Sequence, residues 1–410
     1  MKIANEARFL FRENKVVALS RQAGTWMRLT KECYDILMQA IEMALTREKL
    51  ISSMYDEEDR IYFGNLLSKL YEIGVLTDGN TPHKADLTDV SIILTKRCNL
   101  KCTHCIVDAK AEDFIDHLNT EQLKEVIDKV KAADPRNITL TGGEPMVRKD
   151  FMEILEHTYH KFNGKITLMT NGTLINPANV GAIVKMVSNI NISIDGVDEA
   201  SCSLVRGKGV FNKVIRTVRL LQQNGFNKIS LSMVLTKNNA NVVTQFHELC
   251  EELGTKPMLR ALSLEGRAKQ NKELLTEVQL HEDNKELTKF VESKTRVFGC
   301  SCCAGVEECT IETNGDIFPC NLFVNKEFKM GNIQEVHSLS AILPIENNGC
   351  AHSCLHRYEP EKNEQCKNCD VNLFCWSCLH DLYQFEANPE AFKNRCAYMK
   401  RELGELVWSS

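Results

Sequence analysis

Apolar positions along the chain follow two alternating rhythms. Short runs rich in β-branched residues read as strands: VSIILT (90–95), NITLT (137–141), KITLMT (165–170), NISID (191–195), ISLSMVL (229–235) and PMLRALSL (257–264). Between them lie stretches with a helical period. In TEQLKEVIDKVKAA, Leu123, Val126, Ile127 and Val130 form one stripe, with Thr120 expected as the N-cap. NPANVGAIVKMV places Pro177 near a first helical position, and FNKVIRTVRLLQQNG ends at Gly225, a suitable C-cap. Six strand–helix units over residues 89–270 predict an α/β fold, a parallel sheet with outer helices curled as a partial (β/α)6 barrel. In such folds the C-terminal strand ends carry the chemistry.

The first 80 residues have a different pattern. ARFLFRENKVVALS predicts two strands about a polar turn at Glu13–Asn14. Two helical stretches follow, one with Tyr34, Ile36, Leu37, Ile41 and Leu45 on a face, the other with Ile61, Leu66, Leu67, Leu70 and Ile73. Hairpin plus helices at this size describes a winged-helix module, a shape that often binds DNA. Here 11 Lys/Arg stand against 12 Asp/Glu, a balance that cannot track phosphates. Residues 81–88 read as a polar linker, 271–299 as a helical bridge, and 300–410 as a separate cysteine-rich domain.

Composition narrows the class. The 410-residue chain is 43% hydrophobic with a net charge of −5, so a nucleic-acid partner is not expected. No apolar signal core opens the sequence and no run approaches the roughly 18–20 apolar residues of a membrane span, so a soluble cytoplasmic protein is expected. Against that background 18 cysteines are many, because cytoplasmic thiols stay reduced. Cys33, Cys202 and Cys250 are scattered and read as small apolar core residues. Three more crowd one loop, and twelve fall between Cys300 and Cys396.

The loop, LTKRCNLKCTHCIV, places Cys98, Cys102 and Cys105 directly after the first barrel strand. Zinc sites and ordinary cubanes close with four ligands, so three thiolates suggest a metal position left open. This spacing resembles that of the radical S-adenosylmethionine (SAM) superfamily, whose partial barrel matches the strand count. The resemblance implies that the three thiolates hold a [4Fe–4S] cluster whose open iron chelates SAM, which on reduction yields a hydrogen-abstracting 5′-deoxyadenosyl radical. Gly142, Gly143 and Glu144, in TLTGGEP, would then receive the SAM amino group, the glycines letting backbone approach and the carboxylate pairing with an ammonium. Ser193 and Asp195, in ISIDG, point the same way by strand alternation, Arg206 in VRGKGVF suits the SAM carboxylate, and His104 stands where the family puts a ring near adenine. Cys202 and Ser203 replace the His-Asp that relatives show before this arginine, and LEGRA (264–268) resembles the family's sixth-strand ending.

The C-terminal cysteines resemble the SPASM extension, which holds auxiliary iron–sulfur clusters. Cys302 and Cys320 flank Gly315 at its spacing, and Cys366, Cys369, Cys375, Cys378 and Cys396 follow, although Cys375 to Cys378 is one residue short. By that resemblance Cys366, Cys369, Cys375 and Cys396 hold an outer cluster, while Cys302, Cys320 and Cys378 hold an inner one. Cys300, Cys303, Cys309, Cys350 or Cys354 could complete it, or its last iron could stay open for substrate sulfur. The C-x2-C pairs taken alone would also fit a zinc ribbon. CTIETNGDIFPC, with its turn at Asn314–Gly315, fits a hairpin. The N-terminal module is similar to PqqD-like recognition elements, which bind the leader of a ribosomal precursor peptide as an added strand. Together these resemblances imply a peptide maturase forming thioethers, as in sactipeptide and ranthipeptide synthesis, reduced by a flavodoxin or ferredoxin. Rival readings are a carbon–carbon crosslinking or decarboxylating maturase and a maturase of a folded enzyme such as a sulfatase.

Overall fold

A computed structural model describes residues 1–410 except 22, 80–86, 111–114, 238, 276–298, 300–301, 344–352, 377, 387 and 410. The chain forms two units: Met1–Ala85, Thr295–Glu307 and Pro344–Ser410 make one, Asp86–Lys294 and Glu308–Leu343 the other.

In the first unit a short β1 (Lys2–Ile3) precedes β2 (Ala7–Arg12) and β3 (Lys15–Ser20), which pair antiparallel about Glu13–Asn14. A further strand, β4 (Trp26–Thr30), flanks β3 on its other side; WMRLT lacks the alternation that would have announced it. Thr30 then caps α1 (Lys31–Glu42) by accepting from the Cys33 N–H. Between α1 and α3 (Glu57–Glu72) lies α2 (Arg47–Ser52), which the apolar pattern also missed, and β5 (Leu76–Thr77) returns to pair with β1. Val16, Leu37, Leu67 and Leu70 are fully buried among these elements, giving five strands and three helices around one core.

The end of the chain belongs to this unit. Arg21, 2% exposed, donates twice to the Glu361 carboxylate, at 2.9 and 2.7 Å, and Arg8 donates to it at 3.1 Å. Trp26 packs edge-on against Phe374, and Lys15 donates to the carbonyl of Trp408 at the end of the helix Pro389–Trp408. Cys396 sits inside that helix.

The second unit carries the repeating strands and helices: β6 (Asp89–Ile93), α4 (Thr120–Lys131), β7 (Asn137–Thr141), α5 (Phe151–Lys161), β8 (Lys165–Thr170), α6 (Val180–Met186), β9 (Asn189–Ser193), α7 (Glu199–Arg206), α8 (Val210–Gln223), β10 (Ile229–Val234), α9 (Val243–Glu252) and β11 (Lys256–Arg260). All six strands are parallel and ordered β11-β10-β9-β8-β7-β6, the arrangement expected of a partial barrel. The hairpin β12 (Glu308–Ile311) and β13 (Asp316–Phe318), turning at Asn314–Gly315, extends this sheet through β6, with β14 (Gly331–Asn332) outermost. Cys309 lies within β12 at 2% exposure, and burial pushes its thiol far above the ordinary range.

Several helix ends differ from expectation. Asn119, not Thr120, caps α4, because Asn119 and Gln122 bond reciprocally across the first turn. Residues 176–179 form turns, so α6 starts at Val180 and Pro177 lies outside it. Asn224 closes α8 with Gly225 just beyond at φ +78°. A short α10 (Arg267–Gln270) follows β11, and α11 (Lys272–Leu275) lies in the predicted bridge, of which residues 276–298 lie outside the described residues. Among the described residues no helix is long and apolar enough to cross a membrane.

Candidate functional site

The cysteine loop leaves β6 at the C-terminal edge of the sheet. Each of its three sulfurs accepts from an N–H group. Cys98 Sγ takes the Leu100 N–H at 3.3 Å and the Asn171 amide at 3.8 Å, Cys105 Sγ takes the Ala109 N–H at 3.3 Å, and Cys102 Sγ takes Arg206 Nη1 at 3.7 Å. Donors of this kind stabilise thiolates. Burial nevertheless pushes the Cys98 thiol up to about 11 and raises Cys102, so both stay protonated near neutrality unless a metal takes them as thiolates.

The loop is shaped by its neighbours. After β7, the Gly143 and Glu144 N–H groups donate to the carbonyls of Thr95 and Arg97, both at 2.8 Å. A Cβ on Gly142 would stand 2.5 Å from Thr95 O, and one on Gly143 2.3 Å from Arg97 O. The two glycines therefore let one strand-end loop pack on the next, a tighter requirement than approach of a ligand. From the far side Arg267 donates to the carbonyls of Cys102 (3.1 Å) and Ala109 (2.6 Å), and its backbone N–H to that of Cys105 (2.8 Å).

Glu144 is fully buried. Its carboxylate accepts from the Thr170 hydroxyl at 2.8 and 2.9 Å, the Asn171 N–H at 2.7 Å and the Met146 N–H at 3.2 Å. Burial outweighs these donors and pushes its pKa up to about 7. Asp195 follows β9 in the left-handed region at φ +54° and is also fully buried. It binds His104 Nε2 at 2.6 Å, Arg206 Nε at 2.5 Å and the Val234 N–H at 2.6 Å. Burial alone would raise its pKa, but Arg206 and His104 prevail and hold it far below the usual carboxylate range. His104 thus engages Asp195. Ser193 meets the Ser232 hydroxyl at 3.4 Å, and Cys202 is buried with its thiol pushed up to about 12, chiefly by burial. The sequence reading overlooked Asn171, Arg260 and Arg267 as site residues. Each follows or ends a barrel strand, and that shared position was the available signal.

In the other unit, Cys366, Cys369, Cys375 and Cys396 line one pocket together with Trp376, Phe392 and Lys400. Burial pushes Cys366 up to about 11 and raises Cys369 and Cys375. Arg395 donates to Cys375 Sγ at 3.3 Å and to its carbonyl at 2.9 Å while lying 4.2 Å over the Trp376 ring. Cys302 and Cys378 belong to this unit and Cys320 to the barrel unit. Of the five surplus thiols, Cys300 and Cys350 lie outside the described residues, and Cys309 is a core residue of β12.

Residues 92–250 match the radical SAM superfamily, and residues 300–370 match the SPASM iron–sulfur cluster-binding domain. The antilisterial bacteriocin subtilosin biosynthesis protein AlbA of Bacillus subtilis (strain 168) is 26% identical over 420 residues, covering 93% of this chain and 90% of that protein. The mycofactocin maturase MftC of Mycolicibacterium smegmatis is 29% identical over 261 residues, covering 58% and 66%. Streptococcus suis SuiB bound to S-adenosylmethionine shares the fold at TM-score 0.54 and 18% identity, covering 94% of this chain and 97% of that one, and SuiB has also been solved bound to the precursor peptide SuiA. S-adenosylmethionine and iron–sulfur clusters are the cofactors of this domain pair.

Proposed function

We propose that this chain, in which a radical SAM domain is joined to a SPASM domain, matures a ribosomally made precursor peptide by linking a cysteine sulfur to a carbon of another residue. The observation that carries this reading is the coexistence of two thiol sets. One is a three-sulfur loop at the barrel's strand ends, and the other is a four-sulfur pocket in the cysteine-rich end. When bound, SAM and the clusters supply a hydrogen-abstracting radical and a sink for the second electron that thioether formation releases.

The chain's own residues divide the remaining work. Cys98, Cys102 and Cys105 hold the first cluster, and the N–H groups on their sulfurs stabilise the charge that binding iron develops. Glu144 faces the cationic amino group of SAM, and Arg206, fixed by Asp195, faces its carboxylate. Cys366, Cys369, Cys375 and Cys396 hold an auxiliary cluster, with Arg395 and Lys400 adding positive charge beside it.

The N-terminal sheet is assigned to leader capture. Among the described residues β2 and β4 each pair only with β3, so the sheet has two outer edges to which an extended peptide can add. Phe11, Ile61 and Tyr62 stand 47, 58 and 49% exposed on the same module, an apolar surface suited to leader side chains. The test is anaerobic incubation of reconstituted enzyme with SAM, reductant and any small cysteine-bearing peptide that a reading frame near its gene encodes, followed by tandem mass spectrometry. Loss of two hydrogens together with a thiol that no longer alkylates is expected. Unchanged peptide mass refutes the reading, and a two-hydrogen loss with the thiol still free assigns a carbon–carbon link instead.

A further inference from the structure

Arg260 closes β11, and its charge is unanswered. Among the described residues the guanidinium's single polar contact is Nη2 to the Met258 sulfur at 3.1 Å, and Nε, buried, has no hydrogen-bond partner there. Among the described residues no carboxylate pairs with it. A thioether is a weak acceptor, and an arginine does not escape burial by losing its proton. Nε is closed off from solvent while the side chain as a whole is half-buried, which leaves a cation with no carboxylate against it and a fork of donors open to an arriving anion.

The surroundings say where that anion would sit. Arg260 pairs in register with Val234 of β10, whose N–H donates to Asp195. The acid whose charge reaches Arg260 is Asp195, but its oxygens are already taken by Arg206, His104 and Val234. Burial and the neighbouring Arg206 charge both push the Arg260 pKa down, and Asp195 only partly offsets them. Two arginines thus stand in the field of one carboxylate, which pairs with Arg206 and not with Arg260. Glu144, buried in the field of Arg206 and hydrogen-bonded only to neutral donors, is its negative counterpart. A ligand bringing both a cationic group and a carboxylate compensates both.

We propose that Arg260 is a binding residue that receives a carboxylate at this site, through the planar two-donor fork that suits such a group. The proposal rests on the radical SAM reading, and two sources of the carboxylate share this chemistry: SAM itself and an acidic group of the peptide.

The experiment uses full-length reconstituted enzyme, wild type, Arg260→Gln and Arg260→Lys. Binding of SAM and of decarboxylated SAM is measured without peptide, alongside thermal unfolding with and without SAM. If SAM supplies the carboxylate, Arg260→Gln weakens SAM binding about 10- to 100-fold, leaves decarboxylated SAM unaffected, and Arg260→Lys recovers part of the loss. The rise in melting temperature that SAM produces also shrinks in Arg260→Gln, a change that a merely structural arginine would not give. If the peptide supplies it, SAM binding is unchanged and KM for the peptide rises about tenfold or more, an effect reproduced on wild-type enzyme by changing the peptide's acidic residues to amides. A responsive SAM arm with an unprocessed peptide sinks the peptide-maturation reading and leaves Arg260 in its role. Unchanged SAM binding together with an unresponsive or unprocessed peptide overturns the proposal.

Discussion

If Glu144 must be ionised to hold the amino group of SAM, SAM affinity depends on pH through this residue. Its pKa is raised from 4.5 to about 7, chiefly by burial. Each pKa unit is worth about 1.4 kcal/mol, so ionised Glu144 costs the SAM-free fold about 3 kcal/mol. The sign follows from the raised value. The cost is absent below about pH 4.5, grows as pH rises to about 7, and is then constant. For binding, a site that needs the anion weakens by a factor of about 11 at pH 6 and about 2 at pH 7, relative to pH 8 and above. Glu144→Gln keeps the shape and removes the titration. Equilibrium dialysis of SAM against wild type and Glu144→Gln between pH 6 and 8 is the assay, because the ratio of the two dissociation constants cancels the titration of SAM itself. That ratio should rise about fivefold from pH 7 to pH 6. A ratio constant within about twofold across the range would refute the reasoning, as would a SAM-free wild type that gains no stability over Glu144→Gln as pH falls from 7 to 5.

Arg21→Ala leaves Glu361 without its buried partner and should lower stability by about 2–3 kcal/mol, seen as a drop in melting temperature, because Arg21 is 2% exposed and donates twice. Gly266→Ala puts a Cβ 2.3 Å from Ile106 O at φ +54°, so the cysteine loop must shift; iron bound at that loop and SAM turnover should both fall about tenfold or more, read by iron analysis and product formation. Alanine at Cys366, Cys369, Cys375 or Cys396 should remove auxiliary iron, preserve 5′-deoxyadenosine formation and stop the two-hydrogen loss from the peptide. Stoichiometric zinc in that pocket would contradict the assignment.

Strand periodicity carried the barrel well: NITLT and KITLMT coincide with β7 and β8 residue for residue, because both are β-branched runs bounded by turn-forming segments. Where two neighbours could do the same job, pattern reading chose the wrong one, as at Asn119 and Thr120; the reciprocal bond with Gln122 decided it. β4 and α2 were hidden because short elements gain their stability from packing on β3 and α3, and packing has no local period. Cys98, Cys102, Cys105, Glu144 and Asp195 stood out in the sequence because each falls just after a predicted strand, and the structure places them after β6, β7 and β9. Arg260 and Arg267 were not, because their roles depend on partners more than 20 residues away, or on the lack of one. Cys309 could have been read correctly: alternation along β12 places it on the buried face with Ile311.

The most direct test of the central claim is 5′-deoxyadenosine production by the variant in which Cys98, Cys102 and Cys105 are all alanine, measured anaerobically with reductant and SAM beside wild type. The account predicts none above background, with iron retained at the pocket formed by Cys366, Cys369, Cys375 and Cys396. Continued 5′-deoxyadenosine formation by that variant would contradict it.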